Sequence, residues 1–259
     1  MAETKEILSF AVELGDGLLR NGAEVYRVEE SVLKVLEAYD ITDCDVYVLT
    51  NGIFATANEE SADASSKIRH VPLQPMHLSR IAALNNLCRE VCNGDITMED
   101  AWEKLEEYKN IPVYPKWLLV LATGIGCGGF AYLFGGSVLD SVLSLVIGFI
   151  LEFFIFLLAK GNTSKAVSNV LCSAFVTIFA VALLACKLPI HYDKVIIGDI
   201  MPLVPGIAIT NSIRDFVNGD YLSGTIRLID ALLTAFCIAV GVGIIITFAH
   251  FIFGGALGL

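Results

Sequence analysis

Between residues 210 and 230 the sequence reads Thr210-Asn-Ser-Ile-Arg-Asp-Phe-Val-Asn-Gly-Asp-Tyr-Leu-Ser-Gly-Thr-Ile-Arg-Leu-Ile-Asp230, and seven of these 21 residues are Asn, Arg or Asp. The stretches on either side are apolar. On a helix Asn211, Arg214 and Asp215 share a face, because side chains three and four apart are neighbours. Arg214 presents a planar fork of five donors that fits a carboxylate. Thr210 and Asn211 supply neutral polar groups beside it. Arg227 and Asp230 are spaced for a second ion pair at i, i+3. The plainer reading is a charged loop that anchors two helices at a lipid surface.

The segment just before it is as informative. Ile196-Ile-Gly-Asp-Ile-Met-Pro-Leu-Val-Pro-Gly-Ile-Ala-Ile-Thr210 places Asp199, Pro202, Pro205, Gly198 and Gly206 in an otherwise apolar run. Each proline removes a backbone donor and clashes with the preceding turn. A helix broken there frees amides and carbonyls, which survive at membrane depth only where protein or water surrounds them. Discontinuous helices of this kind build the midplane sites of many secondary transporters. The simpler reading is a kinked helix, but Asp199 adds an ionisable group that a kink does not need.

These residues need elements to hold them. Of 259 residues, 55% are hydrophobic and 17% charged, and the mean hydropathy is +0.68. An ordinary soluble domain is about 25% charged, so the chain reads as a membrane protein. The charge is uneven: residues 1–116 carry 11 Lys/Arg and 21 Asp/Glu, whereas residues 117–259 carry 6 and 7. The change falls near Pro112–Pro115 and divides the chain into an α+β domain, residues 1–112, and a transmembrane helical domain, residues 113–259. A net charge of −11 excludes a nucleic-acid binder, which needs basic surface to meet phosphates. The seven cysteines contain no C-x-x-C and are expected as packed free thiols, Cys88 and Cys92 included. No metal or organic cofactor is indicated. P-loop, G-x-S-x-G and H-E-x-x-H motifs are absent from the sequence, so the chain does not read as an enzyme.

In the first domain Ile7, Phe10, Ala11, Leu14 and Leu18 fall at helical spacing, with a C-cap signal at Asn21-Gly22. Val25, Val28, Val32, Val35 and Leu36 form a second helix to Asp40. Asp45–Thr50, an Asn51-Gly52 turn and Ile53–Ala57 read as a β-hairpin, with Lys67–Val71 as a third strand. Helices are expected over 77–92 and 97–109. The Asn21–Glu24 cluster with Arg27, and the group Arg69, His70 and His77, read as solvated or capping residues. In the second domain about five spans are expected, at 117–134, 137–159, 166–186, 195–210 and 226–253, each near the ~20 residues a bilayer requires. Gly124 and Gly128 in the first are spaced for close helix packing. No signal peptide opens the chain. A cytoplasmic first domain puts Lys160, Lys165, Arg214 and Arg227 inside and only Lys187 and Lys194 outside, which satisfies the positive-inside rule; it also puts Leu259 outside. Gly241 and Gly243 favour close contacts within the bundle or in a homo-oligomer.

Pro205-Gly206 with Thr210-Asn211, Ile213-Arg-Asp215, Gly219-Asp220, Ser223-Gly224 and Arg227 resembles the signature of the threonine/serine exporter family. So does the amino-terminal stretch Asn21-Gly-Ala-Glu24 through Tyr26-Arg27-Val-Glu29, followed by Asn51-Gly-Ile-Phe54. The resemblance implies export of small polar carboxylate-bearing metabolites from the bacterial cytoplasm, threonine and serine in some members and succinate in others, across the cytoplasmic (inner) membrane. With the chain ending one span past the motif, it is similar to the larger subunit of the split two-component form, which works with a small integral membrane partner subunit.

Both lines together give a mechanistic expectation. A substrate carboxylate meets Arg214 or the amino-terminal end of a half-helix at Pro205-Gly206, with Thr210, Asn211 and Asp215 completing the substrate-binding set. Gly219, Asp220, Ser223, Gly224 and Arg227 form a structural motif. Asp199, Asp230 or Glu152 carries a coupling proton. Asp199 is favoured because it is nearest the break, whereas Glu152 sits eight residues before Lys160, near enough to the inner end to snorkel. Asp140 is expected to face the outer interface without a specific role. Two other classes compete. A membrane-anchored regulatory or scaffold protein without transport needs no broken helix. An intramembrane aspartyl protease needs its two Asp on different helices, whereas Asp193 and Asp199 are six residues apart with no span between them.

Overall fold

The computed structural model describes residues 2–59, 62–72, 76–112, 114–161 and 163–253. The chain forms two compact units: Met1–Val113 with Thr210–Leu228, and Tyr114–Ile209 with Ile229–Leu259. The chain first passes from one unit to the other between Val113 and Tyr114. That Thr210–Leu228 packs with the amino-terminal unit was not foreseen.

In the amino-terminal unit α1 (Ala2–Arg20) and α2 (Val25–Ala38) bury their apolar stripes together, with Phe10, Leu14, Leu18, Val25, Val28, Val32 and Val35 at 1% exposure or less. Gly22, at φ +88°, closes α1: its amide bonds Leu19 O at 3.0 Å and the Ala23 amide bonds Leu18 O at 3.0 Å. This is a Schellman motif, which needs a residue free to enter the left-handed region. The antiparallel strands β1 (Cys44–Leu49), β2 (Gly52–Glu59) and β3 (Ala62–His70) lie in chain order. Leu49 pairs with Gly52, so the connecting residues are Thr50-Asn51 rather than the expected Asn51-Gly52. Gly52 is instead held in the sheet on both sides, by Leu49 and by His70. β3 starts well before the expected Lys67, because its Ala/Ser-rich first half lacks the alternation that marks a strand. Helices α3 (Leu78–Cys92) and α4 (Met98–Glu107), with a 3-10 turn at Tyr108–Asn110, complete this part of the unit. Burial pushes the Cys88 thiol up to about 12, the behaviour of an inert packed thiol; Cys186, by contrast, is exposed.

Among the described residues four helices are long and apolar enough to cross a membrane: α5 (Lys116–Leu133), α6 (Val138–Lys160), α7 (Lys165–Ala185) and α10 (Tyr221–Phe253). The count becomes five if α8 (Tyr192–Ile200), with its 3-10 turn Met201–Leu203, and α9 (Gly206–Val217) are one bent span. Large apolar side chains of these helices point away from the protein, Trp117, Leu133, Phe153, Phe236 and Phe251 among them. Water would not tolerate such a surface, and hydrocarbon does. α10 starts five residues before the expected span. At ~1.5 Å per residue its 33 residues exceed the ~30 Å hydrocarbon core. The expected exit of the chain at Leu259 lies outside the described residues.

Small residues set the packing of the membrane-crossing unit. A Cβ on Gly124 would run into the Phe149 ring of α6, and one on Gly128 would lie 2.7 Å from Ser141 O. Ser141 Oγ donates to Gly128 O at 2.7 Å across the same contact. Gly241 of α10 approaches α7 at Ser173, whereas Gly243 meets no neighbour within 4 Å. Gly198 of α8 is equally constrained, since its Cβ would fall 2.7 Å from Ala131 Cβ and 2.8 Å from Cys127 O of α5. Gly198→Leu is therefore expected to push α8 off α5 at a cost of about 3 kcal/mol or more. Thermal unfolding in detergent should show a midpoint lower by about 5 °C or more; an unchanged midpoint would contradict this packing.

Candidate functional site

Glu24 occupies the N-cap of α2 with φ −71° and ψ 137°, yet its side chain makes no capping bond. Its carboxylate is turned towards arginines instead. Oε2 lies 3.0 Å from Arg27 Nε, and Oε1 is ion-paired with Arg214 of α9. One residue earlier, Ala23 O accepts from Arg227 Nη2 of α10 at 3.5 Å. Arg227 Nε lies 3.4 Å from Asp215 Oδ2, and this carboxylate is 1% exposed and receives no hydrogen bond from the described residues. Two carboxylates thus face three guanidiniums around the start of α2.

The α9–α10 hairpin makes this arrangement possible. Gly219, at φ +88°, ends α9 with the Gly219 amide on Phe216 O at 3.1 Å and the Asp220 amide on Asp215 O at 2.9 Å. This is a second Schellman closure. A Cβ on Gly224 would meet the Phe216 ring at 2.8 Å, and Ser212 Oγ donates to Gly224 O at 2.9 Å. Ser223 is buried beside them. Burial, with Asp220 nearby, pushes the Glu29 carboxyl of α2 above the usual carboxylate range.

In the membrane-crossing unit the broken helix carries the other candidate. Pro202 falls in the first turn of the 3-10 segment, Val204 is extended, and the two helices meet at 60°. Asp199 lies at the end of α8, wholly buried, and neither carboxylate oxygen has a hydrogen-bond partner among the described residues. Ser144 of α6 and Cys127 of α5 lie beside it, and Cys127 Sγ is 3.9 Å from Asp199 O. A buried carboxylate with only a hydroxyl and a thiol beside it is a costly group to retain, and in a membrane segment it is a candidate for function.

The sequence matches the family described as "Putative threonine/serine exporter" over residues 9–249. The chain belongs to the threonine/serine exporter family. A Mycobacterium tuberculosis protein named "Probable threonine/serine exporter" is 28% identical over 92% of this chain and 45% of its own length. The "Threonine/serine exporter" of Corynebacterium glutamicum is 24% identical over 92% of this chain and 50% of its own. A Klebsiella aerogenes protein named "Probable succinate transporter subunit YjjP" is 23% identical, over 93% of both chains. The chain thus spans about half the length of the first two relatives and nearly all of the third. No solved structure matches it. Membership of this exporter family, together with the apolar helices, makes the chain an integral membrane protein.

Two of the stretches on which the resemblance was drawn, Asn21–Glu29 and the part of Pro205–Arg227 from Thr210 on, are brought together in the amino-terminal unit by Arg214–Glu24 and Arg227–Ala23. Other expectations are corrected. Asn211, Arg214 and Asp215 do not act as one face: Asp215 is buried towards Arg227, while Arg214 is exposed and paired with Glu24. Arg227 does not pair with Asp230, because it is committed to Asp215. Asp230 Oδ2 instead meets Lys165 Nζ at 2.7 Å, with a half-exposed side chain. Glu152 accepts from Thr123 Oγ1 at 2.9 Å, so it is tied to α5. Asp140 is far from idle: it is wholly buried, forms a capping box with Ser137, and accepts from the His191 amide at 3.0 Å and meets its Nδ1 at 2.9 Å. The Ser137-x-x-Asp140 spacing ahead of an apolar run is the signal that would have found it. Asp193 and Asp199 both lie on α8. Pro205 and Gly206 form the break itself, and Thr210 sits one turn into α9.

Among several cavities of the amino-terminal unit, one of about 410 Å³ is lined by Glu13, Asp16, Arg20, Arg69, Arg80 and Tyr108 among others. Its cations are already engaged, Arg20 with Asp16, Arg69 with Glu13, and Arg80 with the carbonyls of Lys109 and Ile111. The Glu24 cluster differs in having pairs of unequal strength. Exposed ion pairs contribute about 0–1 kcal/mol, whereas removing one partner of a buried pair costs about 3–5 kcal/mol. Arg214–Glu24, at 46% and 15% side-chain exposure, is the more accessible pair; Arg227–Asp215, at 13% and 1%, is the more buried.

Proposed function

We propose that the chain is a subunit of a secondary exporter in the bacterial inner membrane, moving small polar carboxylate-bearing metabolites out of the cytoplasm in exchange for protons. The observation that carries this reading is the broken span, where a wholly buried Asp199, with no hydrogen-bond partner for either carboxylate oxygen among the described residues, lies six residues before Pro205. A structural anchor has no need of either feature. Arg214 takes the substrate carboxylate, with Thr210 and Asn211 on the same helix as neutral partners and Pro205-Gly206 opening that helix. Asp199 carries the proton, with Asp230 and Glu152 secondary to it because each already has a partner. The names of the relatives support threonine and serine or succinate as the substrate class.

In this reading the amino-terminal domain is cytoplasmic, in line with the distribution of Lys and Arg between the spans. The chain works with a small integral membrane partner. Support comes from the relative that it matches over nearly its whole length, which is named a subunit. Bacterial cells lacking their own exporters, expressing this chain alone and with a small integral membrane subunit of the same exporter family, should release labelled threonine, serine or succinate only when both are present. Release of none of the three, with both proteins inserted, would overturn the substrate assignment; release by the chain alone would overturn the two-subunit reading.

A further inference from the structure

Glu24 stands where a helix normally places a small capping side chain, yet its carboxylate leaves its own helix uncapped and reaches an arginine 190 positions further along the chain. That arginine is the one assigned above to the substrate carboxylate, and the inference rests on that assignment. We propose that Glu24 is an internal stand-in for the substrate carboxylate: it holds Arg214 in the empty transporter and is displaced when substrate binds. The chemistry of the two ligands is the same, a carboxylate against a guanidinium fork.

The neighbouring pair shows why exchange takes place at Arg214. Arg227 is nearly buried, held by Asp215 and by Ala23 O, so it fixes the start of α2 against α9 and α10 without being open to a ligand. Arg214 is half-exposed and can be reached from outside. Once displaced, Glu24 keeps a partner, because Arg27 lies 3.0 Å from its second oxygen. Release from Arg214 therefore does not strand a charge, and the switch can cycle. A latch of this kind also discriminates, since only a solute bearing a carboxylate can take over the guanidinium; a neutral polar solute leaves it closed.

Occupation of a site by an internal competitor raises the apparent KM by the reciprocal of the open fraction. Glu24→Gln removes the competing charge while the α2 cap loses no side-chain bond, so the variant should fold. With the wild-type latch closed nine-tenths of the time, its KM for export should fall about tenfold. Measured in cells expressing the full chain with its partner subunit, a lower KM in Glu24→Gln, with the KM of Arg214→Ala raised, is the expected result. An unchanged or raised KM in an inserted Glu24→Gln, with the KM of Arg214→Ala still raised, would overturn the latch and leave the assignment of Arg214 standing. Normal export by Arg214→Ala would overturn that assignment itself. The double variant Glu24→Arg with Arg214→Glu restores an ion pair but not the charge that binds substrate. It should insert and remain inactive, and recovery of export would show the pair to be a strut and overturn the proposal.

Discussion

Export by the Arg214→Ala variant should fall by about 10- to 100-fold at sub-saturating substrate, the range set by losing a charge-assisted hydrogen bond worth about 1.5–3 kcal/mol. The loss should appear mainly in KM. Arg214 is half-exposed, and Glu24 keeps Arg27 at 3.0 Å when Arg214 is removed, so the protein should insert at normal abundance. Arg214→Lys keeps the charge but not the planar fork and should recover only part of the activity. Initial efflux rates across a range of cytoplasmic substrate concentrations, normalised to membrane-inserted protein, provide the check. An unaltered KM in Arg214→Ala would remove this residue from the substrate site.

The second large effect is expected at Asp199. Replacement by Asn keeps the volume and removes the ionisable group from a position with no exposure and, among the described residues, no hydrogen bond to either oxygen. Because an unpaired buried carboxylate is costly, Asp199→Asn should be at least as stable as the wild type on heating in detergent. Proton-driven export, by contrast, should fall more than tenfold. Stability retained with transport lost would be the mark of a functional carboxylate; joint loss of both would identify Asp199 as a structural residue of the contact among α5, α6 and α8.

Much of the fold was legible because its determinants are local. The stripe from Ile7 to Leu36 is an unbroken helical pattern with Gly22 as its punctuation, and the long apolar runs of α5, α6 and α7 need no tertiary information. The break at Pro205 follows from ring geometry alone. What escaped were features that depend on partners distant in sequence. Spacing along α9 put Asn211, Arg214 and Asp215 on one face, but Arg214 is drawn to Glu24, and Asp215 is buried against Arg227. Likewise the i, i+3 spacing of Arg227 and Asp230 promised a pair that the competing Asp215 and Lys165 dissolve. Glu24 was noticed only as a member of a polar cluster, because nothing nearby in the sequence announces that a cap residue will face an arginine 190 positions away. Asp140 is the opposite case, since its Ser137-x-x-Asp140 box was local and readable, and only its second role, receiving His191, needed the structure.

The most direct test of the account is the rate of labelled-substrate efflux from vesicles holding this chain and its partner subunit, measured with and without an imposed proton gradient directed towards the side of the amino-terminal domain. Efflux that accelerates with the gradient in the wild type, and loses that response in Asp199→Asn, is the predicted result. Efflux that is indifferent to the gradient, or that keeps its full response in Asp199→Asn, would contradict it.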